Sequence, residues 1–239
     1  MQLKRLLQNP VSALLLAACA VTTSTLAHAD TVVWTNWSSA TPGTPGSATG
    51  TIGSINVTYS GQTSGLTNVP SWTPASTFTG GVVGNAPPHT PTIQIEGGSP
   101  ITETISFSST VVDPIFAIWS LGAAPSSPAT FDFSSKSGQP LTVVGGGPSA
   151  EFGGSALTST GSVVHGTEGN GLVQFNGSFN SITFTTPNFE NYYAFTVGYD
   201  ATLTGGETPG PVPEPETLSL FGLGLAALPL VRRSPSRRS

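Results

Sequence analysis

The chain has 239 residues, of which 37% are hydrophobic and 8% charged, with 29 glycines, 21 prolines, one cysteine and a formal net charge of −5. Its basic residues other than Lys136 all lie in the two terminal segments, so residues 30 to 216 carry twelve acidic residues against one lysine, a net −11. A body so poor in Lys and Arg cannot neutralise a phosphate backbone, which excludes nucleic-acid binding.

The first 29 residues read as a secretory signal peptide. Lys4 and Arg5 give a positive start, an apolar stretch runs from Val11 to Val21, and A-H-A closes the segment. Ala27 and Ala29 occupy the two small-residue positions that a signal peptidase inspects. The stretch L-A-A-C ending at Cys19 resembles a bacterial lipobox, in which the cysteine becomes lipidated. The preferred reading is ordinary cleavage after Ala29, which discards Cys19. The mature chain then begins at Asp30 with no thiol and no disulfide, and packing alone must hold it together.

The body, residues 30–202, shows no sustained helical periodicity but many stretches of period two, the mark of β-strands. In chain order they are 31–37, 54–60, 92–96, 101–107, 114–121, 129–133, 140–144, 161–165, 172–184 and 192–199. In 54–60, Ile55, Val57 and Tyr59 share one face. The segment 114–121 is apolar on both faces except for Ser120, which places it centrally. Asn176-Gly177 divides 172–184, and because both residues tolerate positive φ a tight two-residue hairpin is expected there. The Thr/Pro/Gly/Ser-rich stretch 38–50 and the region 83–91 read as long loops. Strands punctuated by Gly, Pro and Ser at this spacing predict a mainly β fold, a single antiparallel β-sandwich of jelly-roll-like type. Residues 203–211 form a Pro/Gly/Glu linker, expected to be disordered.

Catalytic constellations are absent from the sequence: there is no G-x-S-x-G elbow, no H-E-x-x-H and no C-x-x-C. His89 lies in a Pro-flanked loop and reads as a surface residue. His165 closes a strand beside Glu168 and Asn170, a Gly-rich turn whose alternative reading is a polar site. Oxygen ligands for a structural calcium would come from Asp113, Asp132, Glu168 and Asp200, all at strand ends or turns, although no D-x-D-x-D-G run joins them. Nothing selects a carboxylate pair for glycoside hydrolysis. Among the tryptophans, Trp34 and Trp119 read as core from their apolar neighbours. Trp37 and Trp72 lie near loops and are the candidates for stacking on a sugar ring. The body is expected to be non-enzymatic and to need no cofactor.

The tail, residues 212–239, has three parts: V-P-E-P, an apolar run, and arginines. The run from Leu218 to Val231 is 14 residues long. As a helix it spans about 21 Å, short of a bilayer core of about 30 Å. A short transmembrane helix over 217–231 would leave Arg232 and Arg233 on the cytoplasmic side by the positive-inside rule. These parts, in this order and behind a signal peptide, resemble the PEP-CTERM sorting signal of Gram-negative bacteria. The resemblance covers the tail only. It implies recognition of Pro213, Glu214 and Pro215 by an exosortase, a membrane-embedded cysteine protease, with Arg232 and Arg233 as the retention signal. It further implies transient anchoring in the inner membrane, then a place at the cell surface or in an extracellular matrix, in company with exopolysaccharide and biofilm. The alternatives for the body are a carbohydrate-binding module, an extracellular hydrolase and an ice-binding protein. The last lacks the regular Thr-rich repeat that an ice-matching face would suggest.

Overall fold

The structure, a computed structural model, describes residues 31–123, 127–134 and 140–200. The expected signal peptide with Cys19, Ala27 and Ala29, the linker 203–211, and the tail with its 217–231 helix, Pro213, Glu214, Pro215, Arg232 and Arg233 lie outside the described residues. Among those described, no helix is long and apolar enough to cross a membrane.

Among the described residues, two eight-stranded sheets make up the fold. In chain order the strands are β1 (Val32–Trp34), β2 (Asn36–Thr41), β3 (Gly43–Ile52), β4 (Ile55–Thr63), β5 (Gly65–Thr67), β6 (Thr92–Ile95), β7 (Ser99–Val112) and β8 (Ile115–Leu121). They continue with β9 (Ala129–Asp132), β10 (Leu141–Gly146), β11 (Ser155–Ala156), β12 (Thr158–Thr160), β13 (Val163–Gly166), β14 (Gly169–Phe175), β15 (Ser178–Thr186) and β16 (Tyr193–Asp200). One sheet runs β10-β14-β8-β16-β6-β5, with β1 beside β16 and β11 beside β14; the other runs β12-β13-β9-β15-β7-β4-β3-β2. All pairings are antiparallel except that of β11 with β14.

The inward faces of the two sheets meet in one apolar cluster, as expected of a sandwich. Phe116 lies at its heart, stacked 5.7 Å from Phe195 and edge-on to Phe133 and Phe184 at 5.5 and 5.9 Å. Each such aromatic pair contributes roughly 0.5–1.5 kcal/mol beyond its buried area. A second cluster covers the other face of the β8 sheet. There Ile115, Ala117, Trp119 and Leu172 pack under Trp72, Phe78 and Val83 from the long segment between β5 and β6. Strand β8 is therefore covered on both faces and every one of its residues is buried, which is why its sequence is apolar but for Ser120.

Three details depart from the sequence reading. The stretch 31–37 is two strands, broken at Thr35, whose N–H and hydroxyl both donate to Val197 O at 2.9 and 2.6 Å. The break sends Trp34 to the outer cluster and Trp37 to the inner one. The stretch 38–50 is not a loop but most of the β2–β3 hairpin. Its inward positions are Gly46, Ala48 and Gly50, too small to register as an apolar pattern. Finally, Asn176-Gly177 is a tight reversal but not a hairpin: β14 belongs to one sheet and β15 to the other. The turn is closed by Asp113 in the neighbouring β7–β8 connection, whose N–H donates to Gly177 O at 2.8 Å and whose carboxylate accepts from Gly177 N at 2.6 Å.

Candidate functional site

A cleft of about 330 Å³ opens where β8, the residues after β13 and the loop before β16 converge. That is at the small end of the roughly 300–1,000 Å³ usual for small-molecule sites. Its floor comes from an irregularity in β8. Between the register pairs Ile118–Gly171 and Leu121–Gly169, β8 has two residues, Trp119 and Ser120, opposite the single Asn170 of β14. This bulge returns Leu121 to the inner cluster although Phe116 and Ile118 precede it there at even spacing. It also aims Ser120 into the cleft, as bulges commonly re-aim side chains near functional sites.

Ser120 takes a φ of +58° and Glu168 a φ of +52°. Left-handed backbone at non-glycine residues costs on the order of 1–3 kcal/mol and persists only where surrounding bonds enforce it. Here they do. Ser120 N–H donates to Asn170 Oδ1 at 2.8 Å, and its hydroxyl donates to Glu168 Oε2 at 2.7 Å. Glu168 N–H donates to Gly122 O at 2.7 Å. The Asn170 amide donates to Glu168 O and Gly153 O at 2.9 and 3.0 Å.

One wall is the segment 187–192. Its loop rests on Gly97 and Gly98, with φ of +67° and +72°. A Cβ at Gly97 would lie 2.3 Å from Asn188 O, and one at Gly98 2.8 Å from Phe189 Cβ, so only glycine allows this approach. Glu190 N–H donates to Glu96 O at 2.7 Å, while the Glu190 carboxyl accepts from Gly122 N at 2.5 Å. Burial, reinforced by the nearby Glu168 charge, pushes the Glu190 carboxyl up to about 8 against the pull of that one amide. Phe189 itself stays 65% exposed at the rim.

The opposite rim carries Phe152, 54% exposed, on the tight turn that pairs Ser149 with Gly153. Glu151 fixes that turn: its carboxylate accepts from Ser71 N and Trp119 Nε1, each at 2.9 Å. Burial works against ionisation of Glu151, but these hydrogen bonds outweigh it and hold the carboxyl below its ordinary range. Trp119 lies beneath, its ring 5.2 Å from Phe152 and edge-on to Tyr192 at 5.6 Å.

The residues singled out in the sequence are placed differently. Trp37 and Trp72 are each 1% exposed. Trp37 donates from Nε1 to Thr196 Oγ1 between the sheets, and Trp72 packs edge-on to Phe78 beneath the outer segment. Neither offers a face to a sugar ring, whereas Trp34 and Trp119 lie in the core as their neighbours imply. The four calcium candidates do not converge. Asp113 closes the Gly177 turn, Asp132 accepts from Ser134 N at 2.8 Å, Asp200 is buried in β16, and Glu168 alone lines the cleft. Among the described residues no three His, Cys, Asp or Glu side chains stand together as metal ligands. His89 is exposed and bonds through Nε2 to Asn68 O at 2.7 Å, while His165 is not part of the cleft lining.

A second polar cluster is closed off within the core. Glu103 on β7, Tyr59 on β4 and Thr186 on β15 are all buried, and the Thr186 hydroxyl donates to Glu103 Oε1. Tyr59 Oη lies 2.5 Å from both Gln62 O and Glu103 Oε2, with one proton for two acceptors. A neutral Glu103 supplies the second proton, in keeping with burial raising its carboxyl to about 7. With no opening to solvent, this cluster ties strands together and is not a ligand site.

No curated protein and no solved structure matches the chain. The family model of the PEP-CTERM protein-sorting motif matches residues 211–238, so the chain carries that motif at its C-terminal end, and the motif implies export, sorting to the cell surface and an exosortase as processing partner.

Proposed function

We propose that the protein is a non-enzymatic component of the cell surface or extracellular matrix, delivered by two terminal signals and associated there with exopolysaccharide. Residues 1–29 direct export and are removed by signal peptidase after Ala29. Residues 217–231 then hold the chain briefly in the inner membrane, with Arg232 and Arg233 on the cytoplasmic side. Exosortase cuts near Pro213-Glu214-Pro215 and frees the body, residues 30–202. The observation that carries this reading is the sorting motif at 211–238. The body's composition supports it: a strongly negative, thiol-free domain is suited to an oxidising exterior and to staying soluble there. From β6 to β10, and again from β14 to β16, successive strands alternate between sheets, which supports a jelly-roll-like wrapping of the sandwich.

Replacing Pro213, Glu214 and Pro215 together with alanine tests the reading. The wild-type protein is expected in the surface and medium fractions and the variant in the inner membrane. Identical fractionation of the two would contradict it.

A further inference from the structure

Large apolar side chains at a protein surface require an explanation when they gather at one opening. Among the described residues only four large hydrophobics are exposed: Val69, Val82, Phe152 and Phe189. The two phenylalanines line the same cleft, and each is held outward by a device that the fold maintains. Gly97 and Gly98 support the Phe189 loop, and the Glu151 clamp supports the Phe152 turn. The lining beside them includes the polar side chains of Glu168, Glu190, Asn191 and Ser120, together with Ala123 and Tyr192.

We propose that this cleft binds a neutral sugar unit, with Phe152 and Phe189 stacking on its apolar C–H faces and Glu168, Glu190 and Asn191 bonding its hydroxyls. Three features select that class. Sugar rings pair an apolar face with a hydroxyl edge, which matches aromatic rims around hydrogen-bonding groups. The Glu168 charge, within a body (residues 30–202) whose nine acidic residues against Lys136 give a net −8, disfavours uronate and other anionic units. The Ser120 hydroxyl already bonds Glu168 Oε2, and Glu190, raised to about 8, is largely protonated at neutral pH. It can therefore donate to a hydroxyl rather than attract a cation. The proposal names the polymer chemistry for the exopolysaccharide association above and rests on that reading for the polymer's presence at the surface. It is independent of how the tail is processed.

The test is titration calorimetry of the full-length chain against gluco-, manno- and galacto-configured neutral tetrasaccharides, a hexuronate tetrasaccharide and tetralysine. At least one neutral oligosaccharide is expected to bind more tightly than the uronate or the lysine peptide. Phe189→Ala and Phe152→Ala are each expected to weaken that binding about tenfold, while Phe152→Trp preserves it. Val82→Ala, an exposed apolar residue outside the cleft lining, leaves it unchanged. Phe189 is largely exposed, so its alanine variant should unfold at the wild-type temperature, separating lost binding from lost fold. Absence of binding to every neutral probe, preference for the uronate or tetralysine, or unchanged affinity in both alanine variants overturns the proposal. Each of these outcomes leaves the sorting of the tail untouched, so failure here and failure of the surface reading are distinguishable.

Discussion

Glu103 shows how a single residue can make stability depend on pH. Its carboxyl is enclosed by the sheets, beside the Tyr59 and Tyr193 phenols and the Thr186 hydroxyl, and burial raises it from 4.5 to about 7. The folded state therefore holds a proton that the unfolded chain releases, and the stability this confers is complete below about 4.5. It is lost as pH rises through about 7 and is level above that. Glu190 acts in the same direction up to about 8. Chemical denaturation across pH 4 to 9 should show stability falling through this window. In Glu103→Gln the fall should be smaller by up to about 3 kcal/mol, since each tenfold difference in proton affinity between folded and unfolded chain corresponds to roughly 1.4 kcal/mol. Parallel curves for the two proteins would show that Glu103 is ionised in the fold.

Among the elements, β8 carries most of the architecture and anchors the cleft. Its sequence announces a buried central strand, because apolar residues on both faces can only be satisfied by cover on both faces. The bulge at Trp119-Ser120 was not legible there: it depends on Asn170, fifty residues away, bonding Ser120 N. Asn170 is fully buried and uses both ends of its amide. Asn170→Ala is accordingly expected to lower stability by about 3 kcal/mol, the cost of leaving buried partners unsatisfied, measurable as a reduced denaturation midpoint. A change under about 0.5 kcal/mol would mean the bulge holds without it. The same dependence on distant partners explains the other misread elements. Asn-Gly marks a reversal, but only pairing decides whether the strands share a sheet. Residues 38–50 look like a loop because their inward positions are Gly and Ala, yet Trp37 lies opposite Gly50 and covers the face the small residues leave open. The cleft had a faint signal of its own: Phe152 and Phe189 are large apolar residues in E-F-G-G and N-F-E-N, segments otherwise composed for turns.

At the scale of the whole molecule, the described sandwich and the sorting motif at 211–238 are legible in different ways. Strand periodicity foretold a sandwich because alternation is a local consequence of one face being buried. The outer cluster under Trp72 and Phe78 was hidden, since a covering segment without strands has no period to read. The tail was legible for the opposite reason: a sorting signal must be recognised as linear sequence, so its parts lie side by side at 211–238. The most direct test of the account is the intact mass of the mature protein from cells with and without the exosortase. With the enzyme, the chain should begin at Asp30 and end near Pro213-Glu214-Pro215; without it, the chain should extend to Ser239. A full-length C-terminus in both would contradict the claim that this protein is sorted through its tail.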